Sequence, residues 1–209
     1  MSKRPEVSQL LKTYPIISDQ VDARELTVIL SELSTQLEMC SAADSIVELG
    51  CYVGTTSLFV RRLLNQHKLD LPFHVYDSFA GLPPKTEQDQ SPAGEQFKTG
   101  ELAVSRKTFE LQFKKSGLKL PVIHKGWFSD LRESDIPDRV TFAYLDGDYY
   151  DSIRDSLRLI WPKLTPGACV VVDDYANEAL PGAARAVNEW LRDHPASLRT
   201  ESSLAIIRL

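Results

Sequence analysis

From residue 45 onward, short β-rich runs alternate with segments of helical period, and this alternation restricts the chain to βαβ units around a parallel sheet. The runs are Ser45 to Glu48, Phe73 to Tyr76, Pro121 to His124, Val140 to Leu145 and Ala168 to Val172. Between them, Thr55 to Asn65, Glu101 to Lys115 and Tyr150 to Leu164 place apolar residues at helical spacing, as in Ile153, Leu157, Ile160 and Leu164. Pro181 and Gly182 open a further helix, and Leu204 to Leu209 forms a last apolar strand that closes the sheet. The expected fold is α/β, a mostly parallel, doubly wound, Rossmann-like sheet flanked by helices.

Two parts stand outside the alternation. Residues 1–44 hold one amphipathic helix, Val21 to Met39, expected as a lid or packing element ahead of a domain spanning 45–209. Gly81 to Gly100, with Pro83, Pro84 and Pro92, is the one long loop, a feature that in compact domains is functional or mobile. At 209 residues the chain supports one substantial core. A formal net charge of -5 argues against nucleic acid and for small-molecule partners. Cys40, Cys51 and Cys169 are odd in number and lack CxxC spacing, which fits a reducing compartment. The polar start Met-Ser-Lys-Arg and the lack of any long apolar run predict a cytoplasmic protein that does not enter the membrane. Homo-oligomerisation is left open.

The turn Glu48-Leu-Gly50-Cys-Tyr52-Val-Gly54-Thr55 ends the first strand and opens the first helix, where a backbone can approach a ligand closely. Tyr52 occupies the middle of what would be a dinucleotide GxGxxG, so a phosphate-free nucleoside fits better than NAD. Asp77 ends the second strand, placed either to accept hydrogen bonds from a ribose or to cap a helix or turn with the following Ser78. Gly126-Trp127-Phe128 follows the third strand and offers an aromatic face to a purine, or else plain core packing.

Asp146 and Asp148 end the fourth strand, Asp173 and Asp174 the fifth, so their carboxylates should converge at the carboxyl edge of the sheet. Like charges brought together repel unless a cation neutralises them or one stays protonated. With oxygen donors and no suitably spaced histidine or cysteine, Mg²⁺, Mn²⁺ or Ca²⁺ is expected on Asp146, Asp173 and Asp174.

In order, Glu48-Leu-Gly50 with Gly54, Tyr76-Asp77-Ser78-Phe79-Ala-Gly81-Leu-Pro83, Phe97-Lys-Thr-Gly100, Gly126-Trp127-Phe128, Leu145-Asp146-Gly-Asp148 and Asp173-Asp174-Tyr175 resemble the macrocin O-methyltransferase (TylF-like) family. The resemblance covers about residues 45–195. It implies a class I methyltransferase fold with Asp77 on the ribose of S-adenosylmethionine and the Glu48 to Gly54 turn near its methionine portion. It also implies Mg²⁺ on Asp146, Asp173 and Asp174, Asp148 as general base, and a hydroxyl acceptor on a sugar. Family members that act on sugars carry more helix ahead of the sheet than residues 1–44 provide. Catechol-type methyltransferases are similar in their metal aspartates but have lysine where this chain has Tyr149, which disfavours a phenolic acceptor. Two other classes share parts of this pattern: a catalytically silent S-adenosyl-ligand-binding subunit, and an NAD-dependent dehydrogenase, which Tyr52 disfavours.

Overall fold

A computed structural model describes residues 4–94 and 96–209; Met1 to Lys3, part of the polar start, and Glu95 of the long loop lie outside the described residues. Helices α1 (Pro5–Thr13) and α2 (Ala23–Leu37) precede β1 (Ser45–Leu49), α3 (Thr55–Gln66), β2 (Phe73–Asp77), α4 (Arg106–Ser116) and β3 (Val122–Lys125). Then follow β4 (Val140–Leu145), α5 (Tyr150–Ile160), β5 (Leu164–Val172), α6 (Pro181–Asp193), β6 (Ser197–Glu201) and β7 (Leu204–Arg208). The seven strands form one sheet in the order β3-β2-β1-β4-β5-β7-β6. β1 to β5 pair in parallel, and β7 runs antiparallel to both β5 and β6.

The expected α/β arrangement is therefore present, with differences of detail: a second helix, α1, precedes α2, and β5 starts at Leu164 rather than Ala168. α4 starts at Arg106 rather than Glu101, because the Ser105 side chain accepts the Thr108 N–H and caps the helix there. α5 gives way to a 3-10 turn at Trp161–Lys163, where Pro162 lacks the N–H that an α-helix requires. The last apolar segment does not close the sheet: β7 is inserted between β5 and β6, and the polar, exposed β6 forms the edge.

Every side chain of β1 and β4 is buried, as expected of central parallel strands covered on both faces. One face carries Ile46, Phe73, Phe142, Tyr144 and Val171 against α2 and α3. The other carries Val47, Leu145, Val170 and Val172 against α5 and α6. α2 is part of the first core through Leu26, Ile29 and Leu33, all essentially inaccessible. The order of strands reverses between β1 and β4, and in open α/β sheets the crevice beyond the carboxyl ends at such a switch point is where ligands bind.

The long loop is pinned across that crevice. Asp89, in its 3-10 turn, is 2% exposed and works as a three-way tie. Its Oδ1 accepts the Tyr150 N–H at 2.7 Å, and its Oδ2 accepts the Thr86 N–H and hydroxyl at 2.8 and 2.9 Å. A carboxylate from a distant loop thus caps α5, whose own N-cap residue, Tyr149, makes no side-chain cap bond. Gly182 makes room for it, since a Cβ there would lie 2.0 Å from Asp89 Oδ1. Arg185 donates to the Gln88 carbonyl, and Ser91 to that of Glu178 at 2.5 Å. Replacing Asp89 with Ala leaves the Tyr150 N–H without its partner, at a cost of about 1–3 kcal/mol. Denaturant unfolding should show that loss, and limited proteolysis should show faster cleavage within residues 83–100 than in the wild type.

Candidate active site

A cavity of about 530 Å³ runs along the carboxyl edge of the sheet, a size typical of small-molecule sites. At one end lie Gly126, Trp127 and Phe128; in the middle, Glu48, Gly50, Tyr52, Thr55, Asp77 and Ser78; at the other, Asp146, Asp148, Asp173 and Asp174. Gly54 and Phe79 are not part of its wall. A Cβ on Gly54 would lie 2.8 Å from the Phe109 ring, and Phe79 stacks edge-on against that same ring, so both serve packing beside the turn.

The glycine turn is built by Asp77. Its Oδ2 accepts the N–H groups of Cys51 and Tyr52 at 2.9 and 3.2 Å, and its Oδ1 accepts the Phe79 N–H at 2.7 Å. These bonds hold Tyr52 and Phe79 in the left-handed region, at φ of 44° and 52°. Gly50, at φ 91°, is the closest joint of the site: a Cβ there would lie 1.8 Å from the Asp146 carbonyl oxygen. Glu48 lies beneath the turn, accepting the Ser57 hydroxyl at 2.6 Å, and burial pushes its carboxyl up to about 8. The Thr55 hydroxyl, at the start of α3, is buried with no hydrogen-bond partner among the described residues.

At the acidic end the parallel register of β4 and β5 pairs Tyr144 with Val171 and Leu145 with Val172, so Asp146 and Asp173 come next, side by side. Tyr144 donates its hydroxyl to Asp173 Oδ2 at 2.7 Å and stands 3.3 Å from Asp146 Oδ2. Asp173 Oδ1 accepts the Asp174 N–H at 2.9 Å, and Asp174 Oδ1 accepts from the Asn177 amide at 2.9 Å. Asp148 and Asp174 both adopt left-handed backbone, at φ 58° and 55°, which aspartate tolerates better than most residues.

All four carboxyls are raised, first by desolvation. Asp146 is then raised further by Asp173, Asp148 and Asp174, and Asp148 by Asp174, Asp173 and Asp77. Asp173 reaches about 6. Among the described residues none of the four forms an ion pair with lysine or arginine, nor do three His, Cys, Asp or Glu side chains stand in an arrangement that closes on a metal ion. The expected trio is thus assembled only in part: Asp146 and Asp173 face each other over Tyr144, while Asp174 is turned toward Asn177. As a donor set, four carboxylates without a basic partner suit a hard cation.

Two residues of this wall, Glu25 and Lys85, and the buried Tyr144 behind it were not singled out from sequence. Glu25, in the first turn of α2, lines the cavity and accepts from the Ser203 hydroxyl; burial and Asp173 raise its carboxyl. In sequence it is one acid among several at a helix start, with no strand end to mark it. Lys85 of the long loop also lines the cavity, with its ammonium 5.4 Å from the centre of the Tyr149 ring. Tyr144 reads simply as a strand residue. Among the described residues no helix is long and apolar enough to cross a membrane.

A family model described as macrocin-O-methyltransferase (TylF) matches residues 29–199. The 8-demethyl-8-(2,3-dimethoxy-alpha-L-rhamnosyl)-tetracenomycin-C 4'-O-methyltransferase of Streptomyces olivaceus is 33% identical over 142 residues, 64% of this chain and 54% of that protein. Mycinamicin III 3''-O-methyltransferase of Micromonospora griseorubida is 29% identical over 157 residues, 71% of this chain and 61% of that protein. The matches thus span between about half and three-fifths of those relatives' own length. Among solved structures, the O-methyltransferase NovP superposes with a TM-score of 0.74 at 25% identity, covering 90% of this chain and 80% of that one. The calicheamicin methyltransferase CalS11 has a TM-score of 0.73 at 21% identity, covering 97% and 89%, and shares the fold. With its glycine turn, its Asp77 block and its paired strand-end aspartates in one cavity, the chain belongs to the macrocin O-methyltransferase (TylF) family.

Proposed function

We propose that this protein transfers the methyl group of S-adenosylmethionine to a hydroxyl of a sugar or glycosylated small molecule, at a site completed by a divalent cation on Asp146, Asp173 and Asp174. The observation that carries this reading is the continuity of the cavity, with an aromatic and glycine-rich end and a carboxylate end in one space. The methyltransferase relatives named above act, by their names, on a rhamnosyl-tetracenomycin and on mycinamicin III, which supports a glycosylated acceptor here.

At the donor end the residues suit S-adenosylmethionine. Trp127, 37% exposed at the mouth, offers a ring face to the adenine, with Phe128 beside it. Asp77 spends three acceptor positions on backbone N–H groups and keeps capacity on Oδ1 for a ribose hydroxyl. The unpartnered Thr55 hydroxyl, together with the free N–H groups at the start of α3, suits the methionine carboxylate. Gly50 lets the cofactor chain pass over the turn without a side chain in its path, and Ser78 borders the ribose end.

At the other end, a bound divalent cation would supply Lewis acidity to an acceptor hydroxyl beside it. Asp148 is the residue for the proton: it lines the cavity, and burial together with Asp174 and Asp173 raises its carboxyl, which favours proton uptake. The hydroxyl oxygen attacks the sulfonium methyl in line, a C–O bond forms as the C–S bond breaks, and the proton passes to Asp148. The products are the methyl ether and S-adenosylhomocysteine. Because Gly50 packs on the Asp146 backbone, donor and acceptor are held in register, and such positioning contributes up to about 7–11 kcal/mol.

Asp146→Ala and Asp173→Ala should each abolish turnover with radiolabelled S-adenosylmethionine and pooled glycoside acceptors, while calorimetry shows S-adenosylhomocysteine still bound. Undiminished wild-type turnover in excess EDTA would remove the cation from the mechanism. Asp148→Asn should lower the methyl-transfer rate by about 10²–10⁴-fold and leave Mn²⁺ affinity in place; an unchanged rate excludes Asp148 as the base.

A pH dependence of stability follows from Glu48. Its folded value of about 8 lies above that of an unfolded glutamate, so the stabilisation of its protonated form is complete in acid and is lost as pH rises through 8. His74, lowered to about 4 by burial and His124, acts in the opposite sense but only below the ordinary histidine range. Thermal unfolding of the ligand-free protein from about pH 6.5, above the range in which His74 acts, to about pH 8 should therefore show a falling midpoint, with a shallower fall in Glu48→Gln.

A further inference from the structure

Asp146 and Asp173 follow directly on the β4–β5 register and so lie beside each other on adjacent parallel strands. Like charges directly opposite in a sheet repel, and both side chains have room to turn away into the cavity they line. What stands between them is a phenol. The Tyr144 hydroxyl lies one pleat below, 2.7 Å from Asp173 Oδ2 and 3.3 Å from Asp146 Oδ2. Its ring is 3% exposed and belongs to the core cluster on the α2 and α3 face, so the hydroxyl cannot follow the carboxylates if they move. The remaining oxygen of Asp173 is directed as well, by the Asp174 N–H at 2.9 Å.

We propose that Tyr144 is a positioning residue for the cation site: its fixed hydroxyl holds the Asp146 and Asp173 carboxylates together and turned toward one ligand. The inference rests on the cation reading given above. A phenol is suited to this place because it brings one donor and no charge, and because the core fixes its ring on a strand rather than a loop. Groups that orient ligating carboxylates from behind typically carry 10–100-fold of a site's metal affinity.

The test is Mn²⁺ titration of the cofactor-free wild type and Tyr144→Phe, with free Mn²⁺ followed by electron paramagnetic resonance. Thermal midpoint and S-adenosylhomocysteine affinity in EDTA are measured on both proteins. Phe keeps the ring and its packing, so the expected result is a Mn²⁺ affinity about 10–100-fold weaker with S-adenosylhomocysteine affinity unchanged. Equal or tighter Mn²⁺ binding by the variant overturns the proposal. So does a parallel loss of both affinities with a large fall in midpoint, which makes Tyr144 a packing residue only. If the wild type itself binds no Mn²⁺, the cation reading fails and the inference falls with it, whereas failure confined to the comparison leaves that reading standing.

Discussion

Parallel pairing of β4 with β1 on one side and β5 on the other is the constraint on which the site depends. Parallel strands end together, and their ends carry the Glu48–Gly54 turn, Asp146 and Asp173. A shift of one residue in either pairing would turn a carboxylate from the cavity into a helix-packed face, because side chains alternate along a strand. The buried apolar faces oppose such a shift on every strand at once: Ile46, Phe142 and Val171 belong to one core, Val47, Ala143 and Val170 to the other. Hydrophobic burial thereby fixes the placement of charged groups that would not choose each other's company.

Against that frame the aspartates are held by a small number of specific bonds. Tyr144 and the Asp174 N–H take up Asp173, Asn177 takes up Asp174, and three backbone N–H groups take up Asp77. Left-handed backbone at Tyr52, Phe79, Asp148 and Asp174 clusters around the same cavity, a cost concentrated where ligands would be handled. Asp89 plays the equivalent part for the long loop, which proves to be a fastened wall rather than a loose flap.

Much of this was legible in sequence because the signals were local. The five parallel strands announce themselves by short β-rich runs, four of them with an acid at or just past the end, and β4 falls on Val140–Leu145 as expected. Gly50, Asp77, Asp146 and Asp173 stand at strand ends, where position alone points to the edge that binds ligands. What could not be read depends on contacts between distant segments. Glu25 meets Ser203 across 178 positions, and Asp89 meets Tyr150 across 61. β6 carries a polar, exposed pattern that does not distinguish an edge strand from a loop, so the insertion of β7 beside β5 stayed hidden. Gly54 and Phe79 lay in motifs that suggested ligand contact, yet their neighbour is Phe109.

Gly50 bears on how acceptor choice can vary. With the Asp146 carbonyl so close that even a methyl group finds no room, the turn and the end of β4 pack as one piece. Neither can be retracted to admit a bulkier guest. The freedom to accommodate one guest rather than another therefore resides in the parts of the wall that are not sheet, the Pro83–Thr86 stretch and the Ser18–Glu25 approach to α2. A fixed base sets the floor of the cavity, and a replaceable rim sets its outline.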